Sequence, residues 1–114
     1  MYAVGGPAAT ADQAAVALVG TDRYATAAKV ATTFFSSPTT VGVATGENFP
    51  DALSGGAFLA HLGAPLVLAD TNALPANTAS YLQSAAGSLT AADLFGGSAV
   101  LSANVQTAIG SAIS

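Results

Sequence analysis

The segment VGVATGENFPDALSGGAFLAHLGAPLVLA, residues 41–69, decides the fold. It opens with VGVAT, a short run typical of a β-strand, and closes with PLVLA, a continuous apolar run typical of a strand buried on both faces. Between the two runs, residues 46–50 predict a turn and residues 50–62 predict a helix that Gly63 ends. Two strands joined by such a helix form a parallel pair with a right-handed crossover.

The same alternation of strand and helix continues on both sides of this segment. Before it, the pattern predicts strands at 2–5 and 16–20 and a helix at 22–35, with Thr21 or Asp22 as its N-cap. After it, the pattern predicts a helix at 75–86, a strand at 92–95 and a helix at 102–113. We therefore expect an α/β fold, a small layered domain whose mostly parallel sheet of four to five strands is flanked by helices on its faces.

Helical spacing predicts which side chains of each helix face the core. In the helix at 50–62, the inward positions would be Leu53, Ala57 and Ala60. The aromatic side chains are expected in the core as well. The other predicted inward residues are Tyr24, Ala28, Ala31, Thr78, Tyr81, Leu82, Ala85, Val105, Ala108, Ile109 and Ala112, and the predicted core aromatics are Phe34, Phe35, Phe58 and Tyr81.

Composition excludes several classes of protein. Of the 114 residues, 52% are hydrophobic and only 7% are charged, which fits one compact domain and not a disordered tail. Without cysteine, neither a disulfide scaffold nor a cysteine-ligated metal site exists. Arg23 and Lys29 are the only cationic side chains against six carboxylates, so we expect no nucleic-acid partner. No stretch approaches the roughly 20 unbroken apolar residues of a membrane span, so none is expected.

A short segment near the beginning of the chain is similar to a segment near its end. Residues 4–8 (VGGPA) resemble residues 95–99 (FGGSA), and an amphipathic, helix-like segment follows each. Twelve glycines make coincidence one explanation, and a tandem array that retains the tail of a preceding unit is the other. The start MYAVGG is not a signal peptide and is typical of a cut inside a longer chain. Residues 1–15 are accordingly either the tail of a preceding repeat or the first strand and helix of the same domain, and residues 16–114 form the module.

Polar residues follow each predicted strand. Ligands of parallel α/β sheets bind beyond the carboxyl ends of the strands, so these turns are the predicted ligand-binding site. Glu47 lies in the turn that follows the predicted strand at 41–45. The predicted ligand-binding residues are Asp22, Arg23, Thr45, Gly46, Asn48, Asp51, Asp70, Thr71, Asn72, Gly96, Gly97 and Ser98.

Arg23 and Asp51 each have two interpretations. Arg23 either grips an anionic group or pairs with Asp51 or Asp22, and the pair is favoured in so uncharged a chain. Asp51 is expected to cap a helix or to pair with Arg23, because nothing in the sequence places two carboxylates face to face for catalysis. The chain also lacks a serine nucleophile elbow, a dinucleotide fingerprint and a phosphate-binding loop. We therefore predict no catalytic residue, no metal ligand and no cofactor.

Four segments together resemble a known family. They are GTDRYATA at 20–27, FPDALSG at 49–55, GAPLVL at 63–68, and LFGGSAV at 94–100 followed by Val105. In this order and spacing they are similar to the cell wall binding repeat 2 family of bacterial surface proteins. The resemblance covers the chain from about residue 16 to its end.

The resemblance implies a function that composition does not. It implies a non-catalytic module that anchors a secreted bacterial protein to a secondary wall polymer, anionic or neutral, outside the cell. It also implies neighbouring repeats of the same kind, packed in threes about a pseudo-threefold axis. The alternative is a structural module that mediates this trimer-like packing without touching the polymer. With so few cations, an anionic polymer would be met by backbone N–H groups, by a bridging divalent ion or by neighbouring modules.

Overall fold

The computed structural model describes residues 1–47 and 49–114, and for Phe49 the backbone alone. Strands and helices alternate along the chain. The five strands are β1 (Tyr2–Val4), β2 (Val16–Leu18), β3 (Thr40–Thr45), β4 (Leu66–Ala69) and β5 (Ala91–Phe95). The five helices are α1 (Gly6–Ala11), α2 (Arg23–Phe34), α3 (Phe49–Leu62), α4 (Ala76–Ala85) and α5 (Ala103–Ile113). The predicted α/β class is confirmed.

All strand pairs are parallel, but the strands divide between two sheets. β4, β3 and β5 form a three-stranded sheet in that order, and β1 pairs with β2 in a separate two-stranded sheet. β3 is the central strand, and its residues 41–45 are all buried. Each crossover from strand to helix to strand brings the carboxyl ends of β3, β4 and β5 to one edge.

The core lies on one face of the three-stranded sheet. Val41, Val43, Val67 and Ala69 point to that face and pack with α2, α4 and α5. The predicted inward residues of α4 are all buried, as are Ala28 and Ala31 of α2 and Val105, Ile109 and Ala112 of α5. These helices confirm the 3.6-residue pattern because each has a polar side that faces solvent.

The opposite face carries α3, and here the predicted orientation is wrong. Leu53 is 61% exposed, and Ala57 and Ala60 are exposed as well, whereas Leu59 is fully buried. The helix approaches the sheet through Gly55 and Leu59, which pack against Phe95 and Gly42. Since α3 is apolar or small on nearly every side, its hydrophobic spacing gave no unique inward face.

Two aromatic side chains predicted in the core are half exposed. Phe34 is 49% exposed and meets the ring of Tyr2 edge to face, with centroids 4.9 Å apart. Phe58, also 49% exposed, meets Phe95 in the same manner at 6.1 Å. Both rings therefore pack edge to face against another aromatic ring at the surface instead of entering the core. Tyr81 is buried as predicted.

In the described part of the chain, no helix combines the length and apolar character needed to cross a membrane.

The close approach of α3 to β3 generates a first prediction. A Cβ at Gly42 would overlap Leu59 Cδ1 and lie 2.9 Å from Phe95 Cε2. Gly42→Ala should therefore lower the free energy of unfolding by about 1–3 kcal/mol through overpacking. Urea denaturation followed by circular dichroism measures the change.

Gly56→Ala is the matched control for this prediction. The nearest atom to a Cβ at Gly56 is Leu66 Cδ2 at 3.8 Å, an ordinary contact. Because alanine favours the helix over glycine, Gly56→Ala should be neutral or stabilising by about 0.5–1 kcal/mol. Equal stability of the two variants would show that the packing at Gly42 is looser than the structure indicates.

Tyr81 generates a second prediction, on alkaline pH. Its hydroxyl donates a 2.7 Å hydrogen bond to the Phe35 carbonyl, and burial raises the pKa of Tyr81 to about 12. A raised pKa in the folded state gives stability that is complete below pH 10 and declines as the pH rises toward 12. Tyr81→Phe should cost about 1 kcal/mol at pH 8 and weaken the decline above pH 10.

Melting temperatures from pH 8 to pH 11.5 measure this dependence, with Tyr2→Phe as the control because Tyr2 is 50% exposed. The same alkaline decline in Tyr81→Phe as in the wild type would refute the role of Tyr81.

Candidate functional site

Four loops gather at the carboxyl edge of the three-stranded sheet. They follow β2, β3, β4 and β5 and carry the predicted ligand-binding residues. Gly46 N–H donates to the Ala69 carbonyl at 2.9 Å, which joins the ends of β3 and β4. The edge therefore presents one continuous polar surface, here called the strand-end surface: residues 21–24, 45–47, 51, 70–72 and 96–98.

Arg23 fastens the start of α2 to the end of β3. Its Nη1 donates a hydrogen bond to the Gly46 carbonyl oxygen. Asp22, the N-cap of α2, accepts a 2.8 Å hydrogen bond from Ala25 N–H, as the capping prediction required. Arg23 therefore has a structural partner, the Gly46 carbonyl, that the sequence did not suggest. The pairing of Arg23 with Asp51 stays a prediction.

Tyr24 completes this junction. A Cβ at Gly46 would lie 2.7 Å from Tyr24 Cε1 and 3.1 Å from Arg23 Cδ, so both side chains lie directly over the Gly46 backbone. Only glycine allows that approach. Burial, followed by the negative charges of Asp70 and Glu47, raises the pKa of Tyr24. Its ring and hydroxyl therefore belong to the strand-end surface.

Hydrogen bonds tie the β3, β4 and β5 loops together. Thr71 Oγ1 donates to Glu47 Oε2 at 3.1 Å, and the Thr71 carbonyl accepts from Ser102 N–H at 2.9 Å. Asp70 Oδ1 accepts from Asn72 N–H at 3.2 Å in a tight turn. Thr71 therefore bridges the loops on either side of it, and Asn72 is held exposed at the tip.

Asp51 lies beside the β5 loop. It stands in the first turn of α3, where the helix dipole favours a carboxylate. Gly96 has φ +103°, and a Cβ there would be 3.0 Å from Asp51 Oδ2. The next residues turn back at once, with Gly97 O accepting from Leu101 N–H at 3.0 Å, which leaves Ser98 exposed.

A cavity of about 360 Å³ opens between the starts of α2 and α3. Arg23, Thr45, Gly46, Ala52 and Leu68 line it. Thr45 is 1% exposed, and its hydroxyl accepts a 3.2 Å hydrogen bond from Glu47 N–H. Its lining combines the apolar side chains of Ala52 and Leu68 with the polar side chains of Arg23 and Thr45.

Negative charge dominates the strand-end surface. Asp22, Glu47, Asp51 and Asp70 carry carboxylates there, and Arg23 carries the only positive side chain. Lys29, the other cation of the chain, lies outside this surface and donates to the Val19 carbonyl at 3.3 Å. Both cations of the chain are thus engaged by backbone carbonyl oxygens.

The predicted site residues that the structure describes lie in the loops at this edge of the sheet. Asn48 lies outside the described residues. The role of each residue in ligand binding stays a prediction. Tyr24 is the residue that sequence reasoning missed, because its helical spacing indicated only a core position. Its place next to Arg23 in GTDRYATA was the available signal.

Among the described residues, no group of three or more His, Cys, Asp or Glu side chains could hold a metal ion.

Comparison with known proteins adds independent information. Residues 17–106 match the model of cell wall binding domain 2. Among curated proteins, none matches the chain significantly.

Two solved structures from Clostridium difficile are similar to this fold. Cwp6 has a TM-score of 0.76 and 22% identity over 84% of this chain and 15% of its own. Cwp8 has a TM-score of 0.78 and 24% identity over 97% of this chain and 20% of its own. The chain therefore spans a fifth or less of each of those proteins, and the likeness concerns the fold. The family match covers most of the sequence: the chain belongs to the cell wall binding domain 2 family and is a cell-wall-associated module.

Proposed function

We propose that this chain is a non-catalytic module that anchors a secreted bacterial protein to a polymer of the cell wall. The observation that carries the proposal is the family match over residues 17–106 combined with the gathering of four polar loops at one sheet edge. Single-module affinity would be low, and tandem copies would raise it through effective concentration.

The strand-end surface is the proposed contact with the polymer. The hydrogen bonds of Thr71 to Glu47 and Ser102 fix the loops, so binding costs little loop entropy. Asn72 and Ser98 point outward at the tips, where an amide and a hydroxyl suit the hydroxyl groups of sugars. Tyr24 and the cavity beside it offer an apolar surface for the face of a sugar ring.

Charge favours a neutral polymer as the direct ligand of a single module. Four carboxylates stand at the strand-end surface, and Arg23 is already bonded to the Gly46 carbonyl. An anionic polymer would meet repulsion there unless neighbouring modules or a divalent ion supplied positive charge. This preference can be measured by comparing neutral and anionic polymer fractions from the same wall preparation.

The test is binding of the chain to purified wall polymer by wild type and by Asn72→Ala with Ser98→Ala. Both side chains are exposed, so the melting temperature should not change. Losing two hydrogen bonds of about 0.7 kcal/mol each should weaken binding about tenfold. Co-sedimentation with increasing polymer measures the affinity.

The matched control is Ser37→Ala with Gln83→Ala. These residues are also exposed and polar, but they lie at the opposite edge, near the amino ends of β3 and β5. Binding should stay at the wild-type level in this variant. Equal losses in both variants, or none in either, would contradict binding through the strand-end surface.

Packing between modules is the second candidate function, and α3 is the observation that favours it. Leu53, Phe58 and Leu62 are 61%, 49% and 50% exposed on a helix with few polar side chains. A helix that is apolar on all sides is normally buried on all sides. We propose that α3 is covered by neighbouring modules, in the trimer-like arrangement that the family resemblance implies.

Sedimentation velocity of the chain over a range of concentrations tests this packing. Wild type should associate as concentration rises, and Leu53→Ser with Leu62→Ser should remain monomeric. Phe34→Ser, which alters an exposed apolar side chain on α2, is the control. A monomeric wild type at millimolar concentration, or association that survives the α3 changes, would rule out this role of α3.

A further inference from the structure

The two similar sequence segments, residues 4–8 and residues 95–99, also share a backbone feature. β1 ends at Val4 and is followed by Gly5 with φ +86°, and β5 ends at Phe95 and is followed by Gly96 with φ +103°. Each strand thus leaves its sheet through a glycine in the left-handed region, where other residues are strained. β1 therefore corresponds to β5, at an offset of 91 residues, since 95 − 4 = 91.

The structure shows what lies beside β1. β2 pairs with it in parallel, with Tyr2 opposite Val16, Ala3 opposite Ala17 and Val4 opposite Leu18. The Met1 carbonyl accepts from Val16 N–H at 2.9 Å, and Gly5 N–H donates to the Leu18 carbonyl at 3.0 Å. Residues 1, 3 and 5 of the first strand therefore direct their backbone groups toward β2.

The corresponding backbone groups of β5 point away from its sheet. Ala91 N–H donates to the Thr39 carbonyl at 3.3 Å, so residues 91, 93 and 95 face β3. The backbone groups of residues 92, 94 and 96 then face the other edge, because they alternate along a strand. At the offset of 91, these residues correspond to 1, 3 and 5, the residues by which β1 holds β2.

We propose that the outer edge of β5 accepts strand β2 of a second copy of this chain, in parallel and in the register that β1 displays. The predicted partners are Asp93 with Val16, Leu94 with Ala17, and Phe95 with Leu18 of the second copy. The predicted flanking hydrogen bonds run from its Val16 N–H to the Ala92 carbonyl, and from Gly96 N–H to its Leu18 carbonyl. Successive modules are thereby joined into one extended sheet, and polymer binding is not needed for this joint.

Side-chain burial supports the correspondence. Ala3 is 5% exposed and corresponds to Leu94, which packs against the core. Tyr2 and Val4 are 50% and 49% exposed and correspond to Asp93 and Phe95. Phe95 lies under α3 against Gly55, so the α3 of a preceding module would cover Tyr2 and Val4 in the same way. The exposed side chains of β1 are those that a preceding module would bury.

The short first unit is also part of the fold shared with a solved structure. The similarity to Cwp8 covers 97% of this chain, so most of residues 1–18 belong to the shared fold. The pairing of β1 with β2 serves as the template for the proposed joint at β5.

Disulfide trapping between two full-length variants tests the proposal. The chain has no cysteine, so Asp93→Cys in one copy and Val16→Cys in the other introduce the only thiols. Under oxidising conditions the mixed dimer should accumulate, because β2 of one copy can pair with β5 of the other whenever β1 transiently opens. This pairing would bring the Cα atoms of the two cysteines within the distance of about 4.4–6.8 Å that a disulfide needs. Asp93→Cys with Thr21→Cys is the register control and should yield about tenfold less mixed dimer.

Two further variants sharpen the result. Ala3→Pro in the Val16→Cys copy removes the N–H by which Ala3 pairs with β2, so it should speed trapping. Leu94→Pro in the Asp93→Cys copy removes the corresponding N–H at the outer edge of β5 and should abolish trapping. Tyr2→Cys with Val16→Cys in one copy confirms the existing pair.

The outcome with unaltered β1 decides the proposal even where a proline variant fails to fold. If the Asp93 and Val16 pair gives no more mixed dimer than the Thr21 control, the proposal is wrong. This readout does not involve wall polymer, so its failure is distinct from failure of the anchoring function.

Discussion

The parallel pairing of β3 with both β4 and β5 determines where the loops of the strand-end surface lie. β3 is buried along residues 41–45 and is hydrogen-bonded on both sides, so its carboxyl end is the fixed point of the carboxyl edge. Gly42 within it allows Leu59 and Phe95 to approach the strand closely. A larger residue there would lift α3 from the sheet, and with it Asp51 from its place beside Gly96.

The scarcity of positive charge explains why backbone groups carry so much of the site. The chain has two cationic side chains, and both are bonded to main-chain carbonyl oxygens, of Gly46 and Val19. The loops are held by hydrogen bonds that Thr71 and Asn72 donate to the carboxylates of Glu47 and Asp70, by the backbone hydrogen bond from Ser102 N–H to the Thr71 carbonyl, and by turns that require glycine. A rigid, hydroxyl-rich surface of this kind is suited to many weak contacts repeated along a polymer and across modules, and ill suited to one tight ionic contact.

Much of the fold could be predicted from sequence because strand runs and helical spacing are local signals. The amphipathic helices α4 and α5 show their inward faces directly, whereas α3 does not, since it is apolar on nearly every side. The clustering of the strand-end residues followed from parallel topology alone. Tyr24 and the bond from Arg23 to the Gly46 carbonyl did not follow, because they depend on the close approach that a missing side chain at Gly46 permits. The division of the five strands into two sheets is equally a matter of long-range pairing.

Amide hydrogen exchange of the chain with and without purified wall polymer tests the central claim most directly. Binding through the strand-end surface should slow exchange at residues 45–47, 70–72 and 96–98. Exchange at the opposite edge, around residues 36–39 and 87–90, should not change. Protection confined to α3, or no protection at a polymer concentration that sediments the chain, would contradict the account.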